Sequence, residues 1–415
     1  MKGGRFDSGA PCRGAFSSLR RLGVTLLLVF LLLQPAAGVW AGTMTEANYR
    51  RLEKIQELME QEQLQEAEEK LRALVRRVKE GGYEYAVTMQ TWGYLHAARE
   101  RYREAIDAFG KALATGELPD DVALELRYNI AQLHAGLEEW QKAARAYEAW
   151  LAEAKSPSAE SYAFGAMVYA QLKRYGKAIG AIRKAIAMAE RPRENWYQLL
   201  AALHYQRNEL KAMARVLEKM VSLWPKRPRY WKQLASVHYL LGRNRRALAV
   251  LALAYRQGYL ERESELLNLV NLYLLQKIPY KAARILEREM DAGRIRRTGR
   301  NLQRLGELWM QARESDEALK ELEAAARVQK SGRLHLRLAR LWYDREQWEK
   351  AVHHARRARA LGGLRHAGDA WLLEGMALHE LGRREKALVA FEQARNDSRS
   401  RKQAEQWIAY VNETL

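Results

Sequence analysis

Residues 230–255, YWKQLASVHYLLGRNRRALAVLALAY, decide the fold, because their order of residue types returns along the chain. An aromatic pair opens the segment, Leu-Gly-Arg interrupts it, and a small-residue stretch around an alanine follows. Residues 369–394, DAWLLEGMALHELGRREKALVAFEQA, repeat the tryptophan, the Leu-Gly-Arg turn and the alanine, and residues 161–192 and 195–225 vary the same order. Each unit predicts two helices joined by a turn in which glycine takes the left-handed conformation.

One alanine in each unit marks the period of the repeat. We expect this residue to be small, because the two helices of a unit approach most closely there. The gaps between successive markers are 33 to 38 residues, which predicts an all-α solenoid of about ten helix-turn-helix units. The markers are Ala67, Ala105, Ala143, Ala178, Ala212, Ala247, Ala282, Ala318, Ala351 and Ala387.

The two ends of this array differ from its middle. Residues 42–83 are rich in Glu and Gln and predict a degenerate N-terminal capping repeat, while residues 84–396 hold the array itself. Residues 397–415 predict a C-terminal capping helix with one apolar face. That face consists of Ala404, Trp407, Ile408 and Val411.

These units resemble the tetratricopeptide repeat, whose period is about 34 residues, and the resemblance covers nearly all of the chain after residue 41. It implies a right-handed superhelix whose first helices line a concave groove. The overall arrangement, with the degenerate opening YRRLEKIQELMEQEQLQEAEEKL at residues 49–71, also looks like the periplasmic repeat proteins that accompany TonB–ExbB–ExbD energy transducers.

The N-terminus predicts export. Residues 1–21 carry five basic side chains and one acid, residues 22–33 are uncharged and apolar, and small residues precede Gly42. This order is typical of a secretory signal peptide, here residues 1–41 with cleavage near Ala41, and it predicts a periplasmic protein. An uncleaved anchor is the alternative, although a membrane span needs about 20 apolar residues. Cleavage would remove Cys12, which is the only cysteine.

The sequence offers no residues for catalysis. His379 begins a motif similar to a zinc-protease helix, but Arg383 stands where the second histidine is required. His96, His134 and His238 fall at a packing position of the repeat, and adjacent His353 and His354 point in different directions on a helix. We therefore expect no enzyme activity, no cofactor and no metal.

The family resemblance implies a carboxylate-binding site in the middle repeats. Some members hold the C-terminal carboxylate and acidic side chains of a peptide with five polar residues from three successive first helices. Here Ser236 departs from the family pattern, which has an amide at that position, and Arg300 replaces a lysine. The matching residues are Lys232, Ser236, Asn268, Arg300 and Arg304.

Aromatic and basic residues predict the kind of partner. Tyr197 and Tyr239 fall at first-helix positions that face the groove in this family, where they would anchor a peptide. Residues 225–300 hold seventeen Lys and Arg against six Asp and Glu. This charge favours a protein or peptide segment with acidic groups. The alternatives are docking on anionic lipid or cell-wall polymer, and a solvated outer face; export argues against nucleic acid.

Overall fold

The computed structural model describes residues 44–413, and within this range the chain is helical and has no β-strand. The predicted signal peptide, residues 1–41, lies outside the described residues. The helices are α1 (Glu46–Glu60), α2 (Leu64–Val75), α3 (Tyr83–Ala98), α4 (Tyr102–Ala114), α5 (Asp120–Gly136), α6 (Trp140–Glu153), α7 (Ala159–Gln171), α8 (Tyr175–Met188), α9 (Glu194–Gln206), α10 (Leu210–Leu223), α11 (Pro228–Leu240), α12 (Asn244–Arg256), α13 (Glu263–Leu275), α14 (Pro279–Asp291), α15 (Gly299–Gln311), α16 (Ser315–Val328), α17 (Gly332–Tyr343), α18 (Trp348–Leu361), α19 (Gly368–Glu380), α20 (Arg384–Arg395) and α21 (Arg401–Glu413).

Each odd-numbered helix from α1 to α19 packs against the even-numbered helix that follows it, which confirms the predicted helix pairs. The turn within each pair contains one residue with a φ angle near +60°, and only Gly242 and Gly382 are glycines. Two backbone hydrogen bonds close the turn: in the α3–α4 pair, the amide of Glu100 donates to Ala97 and that of Arg101 to His96. The left-handed residues are Glu62, Glu100, Glu138, Lys173, Asn208, Gly242, Lys277, Arg313, Glu346 and Gly382.

The marker position lies five residues after the left-handed residue, and nine of the ten predicted alanines occupy it. These nine are fully buried where the two helices of a pair cross. In the α9–α10 pair, however, Asn208 places the marker at Met213, which is fully buried, while Ala212 is only half-buried. The choice of Ala212 was wrong by one residue, because a flexible methionine side chain fills this crossing.

The described chain forms two compact units, residues 44–225 with α1–α10 and residues 226–413 with α11–α21. In the first unit, Phe109 and Tyr147 are among the largest fully buried side chains. In the second unit, Tyr230 and Phe391 have this role. Within each unit, neighbouring pairs share cores of apolar side chains, as expected for stacked repeats.

The terminal elements bury part of their surface. In α1, Leu52, Ile55 and Leu58 are buried against the following helices. Helix α21 buries Ala404 and Val411, while its half-buried Trp407 and Ile408 pack on the last pair. None of the described helices is long and apolar enough to cross a lipid bilayer.

Candidate functional site

The first helices α11, α13 and α15 of the second unit carry the residues of the predicted carboxylate site. Lys232 and Ser236 lie one turn apart on α11, and Arg300 and Arg304 lie one turn apart on α15. The Thr298 side chain caps α15 by accepting a hydrogen bond of 3.2 Å from the Asn301 amide. The helix therefore begins immediately before the two arginines.

Lys232 already has a carboxylate partner within the chain. Its Nζ donates to Oε1 of Glu265 on α13 at 2.8 Å. Burial alone would raise the pKa of Glu265, but Lys232 and the backbone amides of Arg262 and Glu261 hold this pKa below its ordinary value. Ser236 directs its hydroxyl to its own helix, where it donates to the Lys232 carbonyl at 2.9 Å. The polar side chains of Lys232 and Ser236 therefore both have hydrogen-bond partners within the chain.

Arg304 is in a different environment. Its side chain is half-buried, and its guanidinium donates to Oδ1 of Asn271 on α13. Burial lowers the pKa of this guanidinium, and the nearby Glu307 opposes the shift only in part. Asn271 is the only hydrogen-bond partner of Arg304 in the described part of the chain, so a partly desolvated cation is paired with a neutral amide.

Arg337 on α17 occupies the position in the next repeat that corresponds to Arg304. Unlike Arg304, it is paired with a carboxylate. It is exposed, and its Nη1 lies 2.5 Å from Oε1 of Glu307. The same oxygen accepts a hydrogen bond of 3.0 Å from Gln303. Corresponding first-helix positions therefore hold a carboxylate-paired arginine in one repeat and an amide-paired arginine in the repeat before it.

The remaining two predicted residues lie on the same two helices as Arg304 and Asn271. Asn268 precedes Asn271 by one turn and is half-buried, and Arg300 precedes Arg304 by one turn and is exposed. Between residues 44 and 413, the side chains of Asn268 and Arg300 make no hydrogen bond and no ion pair. Sequence reasoning missed Asn271 and Glu265, although each lies 33 residues from its partner, close to one repeat period.

The two tyrosines predicted to anchor a peptide both pack against neighbouring side chains, and Tyr197 is more deeply buried than Tyr239. Tyr197, in the first unit, is only 8% exposed, and its ring meets that of Trp224 edge-on at 5.5 Å. With Met213 as the marker, Tyr197 takes the repeat position that Trp231 has in its own repeat, which is an inter-helix packing position. Tyr197 is therefore a packing residue in this structure and not an exposed anchor. Tyr239, in the second unit, is half-buried against the core.

Two histidines form a pair that the sequence did not predict, in which His335 is buried and His354 is half-buried. The Nδ1 atoms of His335 on α17 and His354 on α18 lie 2.9 Å apart. Burial lowers the pKa of both rings, that of His354 to about 4, and the neighbouring His353 adds to the effect. The described residues contain no group of three or more His, Cys, Asp or Glu side chains that could hold a metal ion.

Residues 91–160 and 336–400 match the model of the tetratricopeptide repeat family, and the helix pairs between them share the same turn and marker positions. The chain is a tetratricopeptide-repeat protein. No curated protein matches its sequence.

Several solved structures are similar to this chain. A tetratricopeptide repeat protein from Parabacteroides merdae is 19% identical and covers 64% of this chain and 99% of its own, with a TM-score of 0.39. YrrB, described as a TPR protein with an unusual peptide-binding site, is 17% identical over 46% of this chain and 99% of its own, with a TM-score of 0.37. MamA from Desulfovibrio magneticus is 18% identical over 44% and 98%, with a TM-score of 0.38.

Proposed function

We propose that this tetratricopeptide-repeat protein is a non-enzymatic scaffold that binds a carboxylate of a partner peptide at Arg304, on the face shared by α13 and α15. Repeat proteins of this kind use extended surfaces to bind other proteins. The observation that supports the position is the half-buried guanidinium of Arg304, whose hydrogen-bond partner is the neutral amide of Asn271.

The energetics favour an anion at this place. A charge that has lost part of its hydration is stabilised most by an opposite charge with hydrogen-bond geometry, and a guanidinium can offer a carboxylate two parallel N–H groups. Such charge-assisted bonds are about twice as strong as neutral ones. Asn268 and Asn271 would supply amide donors, and the exposed Arg300 would add a second cation one turn away.

Lys232 and Ser236 have a smaller role in this proposal than the family pattern implies. Glu265 occupies the position that a ligand carboxylate would need to reach Lys232, and Ser236 donates to its own helix. A peptide would have to displace Glu265 from Lys232 and from two backbone amides. We therefore place the site at Asn268, Asn271, Arg300 and Arg304.

A peptide array with free and amidated C-termini, followed by titration of the best peptide, tests the proposal. We expect Arg304→Ala to weaken binding at least about thirty-fold, since removing one partner of a desolvated charge pair costs roughly 2–5 kcal/mol. Arg304→Gln, which can still donate to Asn271 without the charge, should lose similar affinity. Arg337→Ala is the matched control and should stay within about two-fold. Binding that ignores both Arg304 variants and the amidation would contradict the proposal.

We also propose export to the periplasm, on the basis of the order of charged, apolar and small residues in the first 41 positions. Mass spectrometry of the protein from its native cells would show an N-terminus near Gly42; retention of residues 1–41 would exclude cleavage.

An accessory role beside a TonB–ExbB–ExbD transducer rests only on the overall arrangement of the sequence. Co-purification of the transducer with the cross-linked protein tests it.

A further inference from the structure

Large apolar side chains are exposed at the turns of two neighbouring repeats in the second unit. Leu240 at the end of α11 is 49% exposed, and Leu275 at the end of α13 is 51% exposed. The turn after α13 adds Ile278 at 36% and Tyr280 at 50%. We call these four residues, with the basic residues Arg243, Arg245, Arg246, Lys277 and Lys281 of the same two turns, the turn edge.

Among the described repeats, large apolar residues at these positions occur only in this pair. Leu240 and Leu275 stand two residues before the left-handed turn residue, where the later repeats have Gln311, Asp344 and Glu380. Ile278 follows the left-handed residue directly, and every other described repeat has a charged or amide side chain there. The repeat fold therefore does not require apolar side chains at these turns.

The stacking of the two repeats brings the two turns to the same side. Lys232 of α11 contacts Glu265 of α13, and Tyr255 of α12 donates a hydrogen bond of 2.5 Å to Glu289 of α14. These contacts join residues 33 and 34 positions apart, so both helices of one repeat lie beside their counterparts in the next. Leu240 and Leu275 occupy matching positions and thus neighbouring places on the surface.

The turn edge is also positively charged, and no nearby acidic residues in the sequence neutralise this charge. Residues 226–260 contain eight Lys and Arg and no acid, and residues 266–286 contain three Lys and Arg and no acid. None of the five basic residues of the turn edge makes an ion pair in the part of the chain that the structure describes. Tyr280 packs its ring edge-on against Trp309 at 5.6 Å, which holds the exposed ring in place.

We propose that the turn edge docks on a lipid bilayer with anionic headgroups. The basic side chains would lie at phosphate level, while Leu240, Leu275 and Ile278 enter the boundary between headgroups and acyl chains. This combination of basic and apolar side chains is that of interfacial membrane-binding segments, in which each Lys or Arg near an anionic surface strengthens binding about five-fold. The turn edge shares no residue with the proposed peptide site, although Leu275 follows Asn271 by one turn on α13. The two proposals are therefore tested with different variants.

Co-sedimentation of the full-length protein with vesicles tests the proposal. We expect binding to vesicles that contain phosphatidylglycerol and at least about ten-fold weaker binding to phosphatidylcholine alone. Leu240→Gln combined with Leu275→Gln should reduce binding to the anionic vesicles by at least about ten-fold. Glutamine stands at the matching positions of three other repeats, Gln171, Gln206 and Gln311, so the fold should tolerate it.

Two controls make the outcome decisive. Leu253→Gln changes another exposed leucine, on α12, and should leave vesicle binding unchanged. Arg245→Gln combined with Arg246→Gln should weaken binding and reduce its dependence on salt. Equal binding to both vesicle types would overturn the proposal in favour of a contact that needs no anionic headgroup. Loss of binding in the basic variant without loss in the double-leucine variant would overturn it in favour of a purely electrostatic contact, such as one with a soluble acidic protein or polymer. Peptide affinity at Arg304, measured on the same variants, separates this proposal from the proposed function.

Discussion

Substituting Gly93 on α3 by alanine tests the close approach of the two helices in a pair. A Cβ atom at Gly93 would lie 2.3 Å from Cδ1 and 2.4 Å from Cε1 of Phe109 on α4. Phe109 is fully buried, so its ring has no free space to move into. Overpacking of this kind costs about 1–3 kcal/mol, and the better helix propensity of alanine returns about 0.5–1 kcal/mol. We expect a net loss of about 1–2 kcal/mol.

Gly110 on α4 provides the matched control, because no atom lies within 4 Å of its Cβ position. Gly110→Ala should therefore gain about 0.5–1 kcal/mol. Urea unfolding followed by circular dichroism measures both changes, provided that the slope of the transition is unchanged. In the double variant Gly93→Ala/Phe109→Leu, the smaller side chain should recover part of the loss. A Gly93→Ala protein as stable as Gly110→Ala would refute the described packing of α3 on α4.

Three further predictions concern turns, histidines and the C-terminus. Glu346→Gly should raise the free energy of unfolding by up to about 1 kcal/mol, because Glu346 holds a φ angle of 59°; an unchanged urea midpoint would speak against strain. The His335–His354 pair should stay neutral in the folded protein, so stability should fall as pH drops from about 6.5 towards 4. Because His354 is only half-buried, solvent screening should limit this loss to about 2 kcal/mol. Substituting both histidines by leucine should flatten this slope in pH-dependent unfolding, and an unaltered slope would assign it to other groups. Deleting residues 399–415 should cause aggregation detectable by light scattering, since Trp407 stacks on Phe391 at 5.5 Å; a monomeric, equally stable truncation would contradict the capping role.

The sequence predicted the helix pairs because their crossing needs a small buried residue at a regular interval. It failed at Ala212, where an alanine stands next to the true position and Met213 fills the crossing. It also expected glycine in the turns, yet most left-handed residues have a side chain. A penalty of about 1–2 kcal/mol per turn can be offset by packing elsewhere, so turn composition alone is a weak signal.

The candidate site was less predictable than the fold. Aligning the markers placed Arg300 and Arg304 on α15, but whether a cation is free depends on side chains of the neighbouring repeat. Glu265 reaches Lys232, whereas among the residues that the structure describes only the amide of Asn271 reaches Arg304. The sequence does show that the two residues of each pair lie about one repeat period apart. Which side chains pair depends on their rotamers, and these are determined by how neighbouring repeats pack on each other. The sequence of one repeat does not contain that information.

The side chains on the left-handed turn residues give this architecture freedom to evolve. A glutamate, lysine, asparagine or arginine can each hold the same backbone turn, with φ angles between 56° and 65°. Because the turn conformation does not depend on which of these residues is present, point substitutions can alter the surface chemistry of one repeat and leave the next unchanged. A lineage can thus acquire a new contact surface along the turns gradually, while selection preserves the helix crossings beneath it.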